Sequence, residues 1–300
     1  MKKRATLCVC AAVCLVFFSA CGDAKITVTQ TETARTQTQT TNTIESTKPA
    51  ITQPKSTQPK PAITQPKSTQ PKASTAPQLQ SVKITITEGS SFYAIAKKLE
   101  SSGICSAQAF YDTAQNYQVQ SFHVPRGGGR CYNMEGFLFP DTYEFYQNSD
   151  PMEVLRRMLN NYAAKSGMPD YDTLVLASII ERETRSAEHM AMVSSVLHNR
   201  LEAGMKLEAD STRSYVNNNI TANPLVKDAD QYAALYNTYK CAALPVGPIG
   251  NPGKRAIEAA KNPANSTYLY FFFGDDNTNH YSRTFDEHKA QMAQYGVNYG

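Results

Sequence analysis

Tryptophan is absent from the 300 residues, and between 22 and 80 there is no aromatic residue of any kind. A stretch so poor in large apolar side chains cannot bury enough surface to offset the entropy of ordering, which excludes it from any core. Acidic residues are scarce there too: residues 1–80 hold Asp23, Glu32 and Glu45 against ten Lys and Arg. The net charge of +4 therefore belongs to the front of the chain, because residues 81–300 carry 20 basic and 23 acidic side chains. A nucleic-acid binder normally shows its basicity on the folded body, so that class is disfavoured. No HExxH, paired CxxC or Cys/His cluster is present, so no metal is expected. The glycine-rich run Arg126-Gly127-Gly128-Gly129-Arg130 lacks the GK[ST] of a phosphate-cradling loop. No cofactor is expected.

What is present at the front is an address. Met1-Lys2-Lys3-Arg4 is a positive start, and Ala5 to Phe18 is an apolar run. At 1.5 Å per residue that run is short for ~30 Å of hydrocarbon, so residues 1–20 are predicted to be a secretory leader. Phe18-Ser19-Ala20-Cys21 resembles a bacterial lipobox, with cleavage before Cys21 and lipid attached to its sulfur; an uncleaved membrane anchor is the alternative. Either way the body is expected at the outer face of the cytoplasmic membrane. Residues 21–80 are predicted to be a disordered tether rich in Thr, Gln, Pro and Lys. It contains the tandem copy PAITQPKSTQPK at 49–60 and 61–72. Extended as polyproline II at ~3.1 Å per residue it would reach roughly 180 Å.

Of seven cysteines, Cys8, Cys10, Cys14 and Cys21 fall in or beside the leader. Cys105, Cys131 and Cys241 remain, an odd and widely spaced set that leaves one bridge or none open.

The body begins near Ser81. Val82 to Ile86 alternates as a half-buried strand, Glu88-Gly89-Ser90-Ser91 reads as a turn, and Ser90 or Ser91 can cap a helix carrying Ile95, Ala96 and Leu99 on one face. Gly103 should end it, and a second short helix is predicted over Ala107–Asn116. This order resembles a truncated LysM-like α/β lobe over 81–130, a glycan-binding element or merely a packing unit.

Downstream, a helix is predicted over Asp172 to Glu183 with Leu176, Ile179, Ile180 and Glu183 on one stripe. Glu181 falls roughly 200° away, over Ala177 and Ser178. A carboxyl on an apolar face, near a helix C-terminus, is pushed toward its protonated form on both counts. That is what a general acid at a glycosidic oxygen requires. The alternative is a surface helix end in which Glu183 pairs with Arg182, Arg185 or Arg200.

Several separated stretches then come in order: EGFLFPDTYEF from Glu135, ASIIERET from Ala177, HNRLEAGMKL from His198, YNTY from Tyr236, LPVGPIGNPG from Leu244 and YLYF from Tyr268. Together they resemble the MltG (YceG-like) family of endolytic murein transglycosylases, over about residues 82–295. The resemblance implies an α+β protein in which a lysozyme-like, mainly helical catalytic domain, here 131–300, follows the small lobe. It implies one catalytic glutamate, which falls on Glu183, the residue the periodicity also selects. The implied partners are peptidoglycan glycan strands and, through the family, peptidoglycan synthases. Glu208, Asp210, Tyr236, Asn237 and Tyr239 are the candidate substrate contacts. This chain reads Leu207-Glu208-Ala209-Asp210 where the family often has Gln before the Asp. A second carboxylate at Glu208 facing Glu183 would permit water attack, hence a muramidase; a wall-binding lipoprotein without turnover is the other alternative. Asn199 and Arg200 read first as structural, with Arg200 open to steering stem-peptide carboxylates.

Overall fold

The computed structural model describes residues 80–297; the expected leader, Cys21 and the tether lie outside the described residues. Strand β1 (Ser81–Ile86) pairs antiparallel with β2 (Asp141–Tyr146), which sets Val82 opposite Phe145 and Ile84 opposite Tyr143. Ile84, Ile86, Tyr143 and Phe145 are buried, so this pair turns one continuous apolar face inward. Between the two strands run α1 (Phe92–Ser101) and α2 (Ala107–Asn116). Ser91 caps α1, its hydroxyl accepting from Ala94 N at 3.2 Å, and Gly103 follows in the left-handed conformation that closes it. Phe92 stacks between Phe110 of α2 and Tyr132, with ring centroids 5.4 and 5.0 Å away. The strand that completes the β1 sheet comes from beyond residue 130, so the segments 81–130 and 131–300 share both a sheet and a core.

The rest is mainly helical, and the whole is α+β. Helices α3 (Pro151–Lys165), α4 (Tyr171–Glu183) and α5 (Ala187–Glu202) are followed by the short α6 (Asp210–Tyr215), a π-helical turn at 216–221, and α7 (Asp230–Tyr236). Then come α8 (Lys254–Lys261), a hairpin of β3 (Tyr270–Phe273) and β4 (Asn279–Ser282), and α9 (Phe285–Gln294).

Helix α4 is the axis of this body and packs against α5, α6 and α8. It starts one residue before the expected Asp172, where Asp170 accepts from Thr173 N at 2.9 Å. Every residue from Leu174 to Glu181 is buried. The expected single stripe is therefore only part of the helix's buried surface, because α8 and the 249–253 loop cover the side that carries Ser178 and Glu181. Cys105, Cys131 and Cys241 are all free thiols.

Candidate active site

Helix α4 ends at Glu183, beside the entrance to α6. There a cleft of about 390 Å³ is lined by Glu88 and Gly89 of the turn before α1, by Glu181, Arg182, Glu183 and Arg185, and by Asp210, Ser211 and Ser214 of α6. Glu183 is half-buried, and its Oε1 accepts from the backbone N of Ser211 at 3.3 Å. Its pKa is raised: burial is the main cause, Asp210 nearby adds to it, and the Ser211 donors and Arg182 oppose it. The alternative of a surface ion pair does not describe this side chain. Arg182 turns its Nη1 to the carbonyl of Gly89 at 3.3 Å, Arg200 is engaged elsewhere, and the exposed Arg185 is a charge of the cleft wall.

Glu181 is the more enclosed of the two helix-end acids, 7% exposed, although the helical stripe points to Glu183. Its Oε2 accepts from Gly253 N at 3.0 Å. Burial, with Glu88 adding its negative charge, pushes its pKa up to about 7 against the Gly253 N–H, Arg255 and Arg185. Gly89, at φ +74°, lies so close that a Cβ there would stand 3.3 Å from Cγ of Glu181. The cleft floor thus holds two carboxyls two residues apart, both biased toward the protonated form.

The other candidate residues divide. Asp210 lines the cleft at the start of α6, accepting from Tyr239 Oη at 3.0 Å and pairing with Arg213 at 2.9 Å. Tyr239 is thereby tied to Asp210, its ring under the Arg213 guanidinium, and is not itself among the cleft-lining residues. Tyr236 is a correction: it is fully buried, its hydroxyl accepting from Cys131 N at 3.2 Å, and it packs against Tyr215 rather than facing the cleft. Asn237 ends α7, its Oδ1 accepting from Tyr239 N at 3.0 Å, and does not line the cleft. The residue between them does the joining. Buried Thr238 accepts from Ala209 N at 2.9 Å and shares a 2.9 Å hydroxyl contact with Thr212, so the YNTY loop clasps α6.

Glu208 does not face Glu183 either. Its carboxylate pairs with Arg200 at 3.1 Å, on a backbone at φ +49°, and it is not among the cleft-lining residues. Arg200 itself is buried, donating to the carbonyls of Lys206, Leu207 and Leu269, so it pins the 206–208 loop to β3 instead of reaching toward a substrate. Asn199 donates to the carbonyls of Ser266 and Tyr268, both at 2.9 Å.

Sequence reasoning gave no role to Glu135 or Asn251, which lie under these loops. Asn251, fully buried, accepts from Leu138 N at 2.7 Å and donates to Ser90 O and Glu135 Oε1, each at 2.9 Å. The one signal in the sequence was the placing of Glu135 against Gly136-Phe137-Leu138-Phe139, an acid heading an apolar run. Among the described residues no group of three or more His, Cys, Asp or Glu converges to hold a metal ion.

A desolvated carboxylic acid at a helix end, open to a polar cleft in a mainly helical α+β body, defines a candidate acid–base site. The pattern of the YceG-like family matches residues 33–294, and the chain belongs to that family. It is 32% identical over 173 residues to a Bacillus subtilis protein named endolytic murein transglycosylase, covering 54% of this chain and 48% of that one. It is 28% identical over 217 residues to a Streptococcus pneumoniae protein of the same name, covering 67% and 38%. The chain thus spans half or less of the length of these relatives. A solved YceG-like protein from Listeria monocytogenes superposes with a TM-score of 0.59 at 26% identity, over 70% of this chain and 75% of that one.

Proposed function

We propose that the protein is an endolytic peptidoglycan transglycosylase that cuts the MurNAc–GlcNAc bond inside glycan strands, with Glu183 as its catalytic residue. The observation that carries the reading is the half-buried Glu183 carboxyl, raised in pKa and opening onto a polar cleft, in a chain whose relatives bear that name. Protonated Glu183 gives its proton to the glycosidic oxygen as the bond to muramyl C1 breaks. The resulting carboxylate takes the proton of the muramyl 6-hydroxyl, whose oxygen closes onto C1. The product is a 1,6-anhydro-MurNAc end and a free GlcNAc 4-hydroxyl, with no water consumed. Asp210, which lines the cleft, and Tyr239, which hydrogen-bonds to it, are the residues we assign to contact sugar hydroxyls. The engagement of Glu208 by Arg200 favours this route over a two-carboxylate muramidase.

The finer architecture belongs to the same proposal. Residues 131–300 act as a lysozyme-like catalytic region, supported by the acid at the end of a central helix. Residues 81–130 act as a LysM-like lobe, supported by a strand and two helices whose strand is paired antiparallel. Lipid on Cys21 and the 21–80 tether would hold the body at the outer face of the cytoplasmic membrane, within reach of peptidoglycan synthases; the lipobox-like residues support that placement. Replacing Glu183→Gln tests the reading. Cleavage of purified glycan strands should fall at least ~1,000-fold while co-sedimentation with strands persists, and undiminished cleavage would remove Glu183 from its role.

A further inference from the structure

One acid of the body touches neither the cleft nor solvent. Glu135 is 1% exposed, and its two oxygens accept four hydrogen bonds. Phe92 N donates to Oε1 at 2.8 Å and to Oε2 at 3.0 Å, Asn251 Nδ2 to Oε1 at 2.9 Å, and Tyr215 Oη to Oε2 at 2.8 Å. The three donors come from three separate segments, and each segment either lines the cleft or bonds to a residue that does. Phe92 opens α1, directly after the turn that presents Glu88 and Gly89. Asn251 accepts from Gly89 N through its own carbonyl at 2.8 Å, and it stands two residues before Gly253, whose N–H holds Glu181. Tyr215 ends α6, the helix whose Ser211 donates to Glu183.

We infer that Glu135 is a positioning residue for this cleft: its four accepted hydrogen bonds fix the Gly89 turn, the Asn251 loop and α6 in the arrangement that seats the Glu183 carboxyl. The inference rests on the reading of Glu183 as the acid. Phe92 N and Asn251 Nδ2 can only donate to Glu135, whereas the Tyr215 hydroxyl donates to Oε2 of the carboxylate and can accept from the protonated acid. A glutamine would put an amide nitrogen in place of one accepting oxygen, so Phe92 N would face a donor on one side and the Tyr215 hydroxyl would have to turn to accept. An aspartate is one methylene too short to span all three segments. The contribution is indirect: Glu135 does not line the cleft, and it acts through the Gly89 turn and α6, which do, and through the Asn251 loop, which holds Gly89 and Glu181 by backbone N–H bonds. Such distant support matters because a misplacement of about 1 Å at a reacting group can cost roughly 100-fold in rate.

The test uses the full chain with Glu135→Gln, Tyr215→Phe and the double variant. Two quantities are read: the titration midpoint of Glu183, from carboxyl-¹³C glutamate NMR, and kcat and KM on isolated glycan strands. In Glu135→Gln the loosened walls admit water, so the Glu183 midpoint should fall toward the ordinary carboxylate range. kcat should drop roughly 10- to 100-fold with KM within about 2-fold. Tyr215→Phe should shift both quantities the same way by less, and the double variant should be no worse than Glu135→Gln, since both act on one network. A folded Glu135→Gln protein with unchanged Glu183 midpoint and kcat overturns the inference, even if its melting temperature is lower, for then Glu135 is only a brace. If Glu135→Gln does not fold, the Tyr215→Phe protein decides on the same midpoint: a fall supports the inference and an unchanged value overturns it. A wild-type protein that fails to cleave strands would sink the transglycosylase reading instead, and the NMR midpoints would still decide on Glu135.

Discussion

At the scale of single residues, three buried or half-buried carboxyls share one physical condition: Glu135, Glu181 and Glu183 are all raised in pKa by burial. Each binds a proton in the folded chain at a pH where the unfolded chain has released it. Between the ordinary carboxylate value and the folded one, the native state therefore holds more protons, and stability falls as pH rises. For Glu135 and Glu181, both pushed up to about 7 from 4.5, the window runs from about 4.5 to 7. The loss across that window is on the order of 3–4 kcal/mol for each group at most, since a tenfold change in proton affinity is worth about 1.4 kcal/mol. Denaturant unfolding should thus give a larger free energy near pH 5 than near pH 8, and Glu135→Gln should flatten that slope. A stability that rises across the window would contradict the burial described here. Of these three acids only Glu183 was legible in the sequence, because helical spacing set it beside Ile179 and Ile180. The enclosure of Glu181 depends on α8 and Gly253, some 70 residues away, and that of Glu135 on Phe92, Tyr215 and Asn251. Neither leaves a local periodic trace.

At the scale of elements, the local rules carried far wherever one segment decides its own shape. The Ser91 cap, the α1 face of Ile95, Ala96 and Leu99, the stop at Gly103 and the extent of α2 follow from caps, spacing and glycine alone. The YNTY segment was legible as a distinct stretch but not in its orientation, and none of its four residues lines the cleft. A loop's inward and outward residues are set by what it clasps, and here Thr238 faces inward while Tyr236 belongs to the core. Helix α4 depends on its Asp170 cap, so Asp170→Ala should cost about 1 kcal/mol, read as a lower denaturation midpoint with unchanged slope. The approach of the Asn251 loop to the turn before α1 depends on Gly250. A Cβ there would stand 2.8 Å from the Gly89 carbonyl oxygen, a backbone atom that cannot rotate away. Gly250→Ala should therefore destabilise by about 1–3 kcal/mol and lower cleavage, since the displaced Gly89 packs on Glu181. A substitution neutral in both respects would show that this contact does not shape the cleft.

At the scale of the whole molecule, the segment 81–130 is tied into the rest by the β1–β2 ladder, the Phe92–Tyr132 stack and the Glu135 hydrogen bonds to α1. A fragment beginning at residue 131 would expose the apolar face of β2 and leave Glu135 without two of its donated bonds. It should show no cooperative thermal transition, whereas an independently folding fragment would mean that the shared core is dispensable. The same wholeness brings Gly89, Glu183 and Ser211 to one cleft from three distant stretches of chain. Composition and motif order could name those stretches without giving their mutual placement. The claim on which all of this converges is that the cleft breaks glycan strands by intramolecular ring closure. Mass spectrometry of strand fragments released by the wild-type protein tests it most directly. The account predicts that every newly cut end is 1,6-anhydro-MurNAc, lighter than a hydrolysed end by one water, about 18 Da. Reducing MurNAc ends, or strands left intact by a folded protein, would contradict it.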